Sequence, residues 1–129
     1  MRWYVDASIV VHAVLPWGDE RAPQWLDSLT GRGDAAVSST LLRLEVTRAL
    51  RREQLDVSLV RTAAAIELVS IDDGILHAAA AIEPHVRSLD AIHLATCQLL
   101  GADVAVATHD AAMRQVAQQL GLETFDPLA

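Results

Sequence analysis

The residues of this chain best suited to chemistry are four carboxylates, Asp6, Glu45, Asp90 and Asp110, each set against apolar neighbours. Asp6 ends the run Trp3-Tyr4-Val5, and Glu45 sits among Leu41, Leu42, Leu44, Val46 and Leu50. Asp90 lies between Leu89 and Ala91-Ile92, and Asp110 follows Val104-Ala105-Val106-Ala107 after Thr108 and His109. A buried lone carboxylate is costly and several in one place repel, so such a set is expected only where cations neutralise it. Hard oxygen donors favour Mg²⁺ or Mn²⁺. An ion held in this way acidifies bound water and offsets negative charge on an oxygen beside it, so it can support hydrolysis without a nucleophilic side chain.

Each acid also has a plainer use. Asp90 can favour the positive end of a helix, Glu45 can pair with Arg48 at i+3, and Asp110 can serve as a helix N-cap. Asp6 has the fewest structural reasons to stand where it does, at the end of a strand.

The elements that must position these acids alternate between β and α. Trp3-Tyr4-Val5 reads as a strand, and Ser8 as the N-cap of a helix through Leu15 that Pro16 closes. A second helix begins at Asp19 or Glu20 and contains Trp25, Leu26 and Leu29; the Gly31–Asp34 loop leads into a strand at Ala35-Ala36-Val37-Ser38. Helical spacing of Leu41, Leu42, Glu45, Val46, Ala49 and Leu50 predicts a helix from Ser39 or Thr40, and a further helix is expected from Asp56 through Leu68 as its hairpin partner. Val69-Ser70-Ile71 is a strand or linker, and residues 74–80 turn helical until Pro84. Ser88 is expected to cap a helix from Leu89 to Leu100 that Gly101 ends. The continuous apolar run 104–107 has the character of a buried parallel strand, followed by a helix from Asp110 to Leu120 and a last strand at 122–125. This βα order predicts an α/β fold, a three-layer α/β/α sandwich around a central parallel sheet, as one domain over residues 1–129. In such sheets ligands collect at the carboxyl ends of the strands, so topology alone brings Asp6 and Asp110 to one edge.

Composition narrows the function classes. With 52% hydrophobic residues, 129 residues can bury a core without disulfides, and the one cysteine, Cys97, has the setting of a buried helix position, consistent with a reducing cytoplasm. No N-terminal signal and no apolar run of roughly 18 residues is visible, so a soluble cytoplasmic protein is expected, with no membrane partner. Net charge is −7, and all ten basic residues are arginines. An acidic chain does not attract nucleic acid through its overall field, so nucleic-acid chemistry must rely on ions and local arginines. The absence of lysine excludes a G-x-x-x-x-G-K-[ST] phosphate loop and counts against receiver domains and haloacid-type phosphatases, which place an Asp after the first strand but need a lysine.

Four segments carry a family resemblance: Tyr4-Val5-Asp6-Ala7-Ser8, Leu42-Arg43-Leu44-Glu45-Val46-Thr47-Arg48-Ala49-Leu50, Arg87-Ser88-Leu89-Asp90-Ala91-Ile92-His93-Leu94-Ala95-Thr96, and Ala107-Thr108-His109-Asp110. In order and together they resemble the signature blocks of the PIN-domain family, with the strongest likeness to VapC-like toxins of type II toxin–antitoxin pairs. The resemblance implies a PIN-like fold and a ribonuclease in which Asp6, Glu45, Asp90 and Asp110 are the catalytic acids and bind one or two Mg²⁺ or Mn²⁺ ions. It also implies a cognate antitoxin as partner, with the apolar helices around residues 8–30 and 40–69 as surfaces for that partner and for a homodimer. The fourth acid is the variable position in that family, so Asp110 is expected to act less directly than the other three. Ser8 and Thr108 resemble hydroxyls that support the acids, although a plain helix cap explains Ser8 nearly as well.

The remaining candidates have simpler readings. His93 is three residues after Asp90, but packing or a hydrogen bond is expected there rather than metal ligation. His12, His77, His85 and His109 lack zinc-site spacing. Arg43, Arg48, Arg51, Arg52 and Arg61 form the main basic concentration, readable either as a guide for an RNA backbone or as a solvated face. Trp3, Trp17 and Trp25 suit core packing or an interface. The competing functional class is a catalytically silent binding module whose acidic cluster takes structural ions or a partner's arginine.

Overall fold

A computed structural model describes residues 1–129. Five parallel strands, β1 (Arg2–Val5), β2 (Ala35–Ser39), β3 (Glu67–Val69), β4 (Val104–Ala107) and β5 (Thr124–Phe125), lie in the order β3-β2-β1-β4-β5. The chain thus begins in the middle strand, with Val5 opposite Ala107 on one side and Tyr4 opposite Val37 on the other. Strand order reverses around β1, the point in a parallel sheet where a crevice opens beyond the strand ends.

Alternation along β1 divides the core between two layers. Val5 faces a cluster containing Ile9 and Val10 of α1 (Ala7–Val14) and Leu42, Val46 and Leu50 of α3 (Thr40–Arg52), with Ala22 of α2 (Arg21–Gly31). Tyr4 faces the opposite cluster, with Leu94 and Cys97 of α5 (Ser88–Leu100) and Met113, Val116 and Ala117 of α6 (Ala111–Gln119). Helix α4 (Asp73–Ala80) packs against α5. All four β4 residues are buried, which is why that strand reads as an unbroken apolar run. The result is the three-layer α/β/α sandwich expected.

Cys97 is buried, and desolvation pushes its thiol up to about 12, so it is an inert core residue. Trp3 stacks edge-on against Trp25 at 5.6 Å and lies 5.7 Å from Phe125, whereas Trp17 stands exposed. No helix is long and apolar enough to cross a membrane.

Four expectations about local structure are corrected. The helix expected over 56–68 is a 3-10 segment at Val57–Ala63, after which the chain straightens into β3. The segment carries β-branched Val57, Val60 and Thr62 and buries none of its residues, and Leu68 and Val69 gain backbone partners by pairing with Ser38 and Ser39. The last strand shortens to Thr124–Phe125, with Leu122 and Glu123 in the approach to it. The cap of α1 is Asp6 rather than Ser8: the Asp6 carboxylate accepts the Ser8 amide hydrogen. Ser88 is the first residue of α5, with Arg87 before it and no side-chain cap.

Candidate active site

Asp6, Glu45, Asp90 and Asp110 come from four separate elements and line one open cleft of about 500 Å³ beyond the carboxyl ends of β1 and β4. Each is delivered by a local feature. Asp6 leaves β1 as the N-cap of α1, and Asp110 is the N-cap of α6, accepting the Met113 amide hydrogen. Asp90 is in the first turn of α5, and Glu45 is on the face of α3 turned toward that turn. The capping role expected as the plain use of Asp110 holds, Asp6 proves to have one as well although the sequence offered it few structural reasons, and the two caps are the means by which these acids are aimed.

Asp6 is the most enclosed, 4% exposed. Its Oδ1 accepts from Ser8 Oγ at 2.6 Å and its Oδ2 from Thr108 Oγ1 at 2.7 Å. Thr108 Oγ1 in turn accepts the Asp110 amide, and Ser8 Oγ accepts the His109 amide. Ser8 and Thr108 thus lock the α1 and α6 starts together around one carboxylate. Burial still dominates: it raises the Asp6 pKa to about 6 against the opposing hydroxyl hydrogen bonds. Burial likewise raises Asp90, with Arg87 opposing.

Glu45 does not pair with Arg48. Its Oε1 lies 2.5 Å from His93 Nε2, and His93 Nδ1 lies 2.6 Å from the Tyr4 hydroxyl. A carboxylate can only accept, which assigns the hydrogen to Nε2, and the other nitrogen of the neutral ring then accepts from Tyr4. Burial pushes Tyr4 up to about 12, so the phenol keeps its proton to donate. His93 makes the hydrogen bonds expected of it.

Arg87 was not among the sequence candidates. Its guanidinium donates to Asp90 Oδ2 at 3.0 Å and to Asp110 Oδ2 at 2.7 Å, while the side chain remains 74% exposed. The available signal was its position three residues before Asp90 at a helix start, the spacing of an i,i+3 ion pair. Among the basic concentration of residues 43–61, Arg48 and Arg52 line the cleft. His12 and His109 form its other rim, with Nδ1 of His109 held by Asp126 at 3.0 Å.

As these side chains stand, no three acids or histidines are disposed to grip one ion. The reason is visible in the hydrogen bonds: Asp6 is turned to hydroxyls, Glu45 to His93, and Asp90 and Asp110 to Arg87. The donor set nevertheless fits a hard divalent cation. It is oxygen-only at the carboxylates, its most enclosed member is held toward the neutral form by burial, and a guanidinium already bridges two of the acids.

A parallel α/β sheet with four acids gathered in a cleft at its switch point defines an acid-centred site of the kind that binds divalent ions and phosphates. The particular family follows from comparison: the profile of the PIN domain matches residues 3–119, and the chain belongs to the PIN-domain family. Ribonuclease VapC46 of Mycobacterium tuberculosis (strain ATCC 25618 / H37Rv) is 41% identical over 95 residues, 70% of this chain and 73% of that protein. Ribonuclease VapC35 of the same species (strain CDC 1551 / Oshkosh) is 30% identical over 131 residues, 96% of each. The crystal structure of VapBC2 from Rickettsia felis, bound to a DNA fragment from its promoter, superposes over 98% of both chains with a TM-score of 0.75 at 11% identity, a likeness of fold.

Proposed function

We propose that this chain is a cytoplasmic endoribonuclease, a single PIN domain that hydrolyses RNA phosphodiester bonds with Mg²⁺ or Mn²⁺ and acts as the toxin of a toxin–antitoxin pair. The observation that carries the reading is the meeting of Asp6, Glu45, Asp90 and Asp110 in one open cleft, in a chain whose relatives are ribonucleases by name. Asp6, Glu45 and Asp90 are assigned as the principal metal-holding acids. Asp110 is assigned to the same centre from its outer side, since it is also bound to Arg87 and to the Met113 amide of α6. When bound, the ion supplies an acidified water and offsets charge on the phosphate. Ser8 and Thr108 hold Asp6 in one orientation, and Tyr4 and His93 do the same for Glu45.

An antitoxin partner is supported by the toxin–antitoxin complexes among the structural neighbours. A largely apolar groove of about 380 Å³, lined by Ala13, Pro23, Leu26, Leu29, Ala63 and Ile66, is the assigned surface for it, and a homodimer completes the assembly. One observation favours a second reading, a silent binding module: Arg87 shows that a guanidinium can satisfy two of the acids without any metal.

Turnover separates the two. Purified protein is expected to cut a mixed RNA panel with Mg²⁺ or Mn²⁺, to stop with chelator, and to lose activity in Asp6→Asn, which stays folded because asparagine is an equally good N-cap. Cleavage that survives Asp6→Asn overturns the mechanism, and no cleavage by the wild-type protein leaves the binding module.

A further inference from the structure

The ten arginines of this chain divide evenly. Arg2, Arg21, Arg32, Arg87 and Arg114 are engaged in ion pairs. The five that make none, Arg43, Arg48, Arg51, Arg52 and Arg61, are all exposed and all lie on α3 or in the 3-10 segment after it. Two of these, Arg48 and Arg52, stand in the acid cleft itself. With Glu45 they occupy positions i, i+3 and i+7 of α3, one stripe of the helix, so both cations lie in line with an acid of the centre. Their backbone positions rise about 4.5 Å and about 10.5 Å along the helix axis from Glu45.

The plain explanations cover this arrangement incompletely. Pairing with Glu45 would account for Arg48, but Glu45 is bound to His93. The negative end of the α3 dipole accounts for Arg51 and Arg52 in the last turn, and not for Arg48 in mid-helix. Apolar burial of the stems accounts for neither, since both residues are exposed. Meanwhile a chain of net charge −7 with four acids in the cleft repels a polyanion, and the third arginine there, Arg87, is spent on Asp90 and Asp110. Unpaired positive charge in the cleft is confined to the α3 stripe.

We propose that Arg48 and Arg52 form a phosphate-binding track along α3 that holds the RNA backbone flanking the scissile phosphate, so that the strand enters or leaves the centre parallel to that helix. The assignment rests on the ribonuclease reading above. Guanidinium forks suit phosphate oxygens and read no base, so the track sets affinity and strand direction rather than sequence choice.

The test compares Arg48→Gln/Arg52→Gln with Arg43→Gln/Arg61→Gln, which removes the same charge from residues lining a separate groove on the far side of α3. On an RNA that the wild-type protein cuts, the cleft variant is expected to raise KM about tenfold or more with kcat within about twofold. The slope of log(kcat/KM) against log[salt] should flatten by about 0.7 per lost contact, the value for a single strand. The control variant should track the wild type apart from a small uniform offset. Binding of fluorescein-labelled single-stranded RNA, followed by anisotropy with Mn²⁺ present and with Asp6→Asn added to every variant to stop cleavage, reads the same contacts without turnover. If the wild-type protein cuts nothing, loss of binding in the cleft variant alone still supports the track while the ribonuclease reading fails. Equal losses in both variants, no loss in either, or weakened antitoxin binding with RNA kinetics unchanged would each overturn it.

Discussion

His93 Nε2 lies 2.5 Å from Glu45 Oε1, and this contact ties an acid of the open cleft to a histidine that is 1% exposed. Behind it stands the Tyr4 hydroxyl, on the middle strand of the sheet. The expected consequence is that Glu45 loses its aim when the ring is removed. His93→Leu should weaken Mn²⁺ binding by about 10–100-fold, the usual cost of losing a ligand's supporting hydrogen bond. His93→Gln, which retains a donor at similar reach, should recover part of that loss. Calorimetric titration with Mn²⁺, beside circular dichroism to confirm folding, decides the matter. A folded His93→Leu protein with undiminished affinity would reduce the pair to packing.

How far the chain could be read without its structure depended on whether the information was local. Asp6 and Asp110 follow strands directly, so their place at the sheet edge came from chain order, and both expectations agree with the cleft that forms. Glu45 and Asp90 were marked by their apolar surroundings, yet neither their mutual approach nor the capture of Glu45 by His93 is encoded within a turn or two of sequence. Arg87 illustrates the same limit, because its partner Asp110 is 23 residues away. The failure at residues 56–68 has a different origin. Helical periodicity there is real, but the free edge of β2 offers Leu68 and Val69 backbone partners that periodicity cannot register.

Burial raises Asp6 to about 6 and raises Asp90 as well, so both bind protons more tightly folded than unfolded. Their contribution is complete below the unfolded carboxylate range near pH 4 and is lost as pH climbs through 6. The metal-free protein is therefore expected to lose thermal stability from these groups between about pH 4 and pH 6, with little further change above about pH 7. Asp19, Asp34 and Asp56, whose pKa values are lowered by their hydrogen bonds, act only at more acidic pH. A divalent ion prefers the ionised acids, so the gap in Tm between loaded and metal-free protein should widen over the same interval. Scanning calorimetry at matched ionic strength measures it, and a gap independent of pH would contradict the assignment of Asp6.

Gly18 follows α1 at a turn where a Cβ would lie 1.9 Å from the His12 carbonyl oxygen. That oxygen is backbone and cannot step aside, and the same turn presents the Asp19 amide to His12 Nδ1 at 3.0 Å. Gly18→Ala should destabilise the protein by about 1–3 kcal/mol, the range for forcing an extra methyl into packed structure. Gly31→Ala is the matched comparison, since a Cβ there meets nothing and the helix gains a better former. Urea midpoints for the two variants should move in opposite directions; equal behaviour would mean that the turn rearranges freely.

Arg87 bridges Asp90 and Asp110 from an exposed position, so it competes with any cation for two of the four acids. Being largely solvated, it contributes modestly to stability, and its effect on ion binding should be correspondingly small and salt-dependent. Arg87→Gln is expected to lower the Tm of the metal-free protein, because the acids lose their counter-charge. It should also tighten Mn²⁺ binding by a few-fold at low ionic strength. The two shifts have opposite signs, which separates this reading from a general loss of structure. If affinity falls together with Tm, the guanidinium holds Asp90 and Asp110 in the arrangement the ion needs, and its role is to assemble the centre rather than to occupy it.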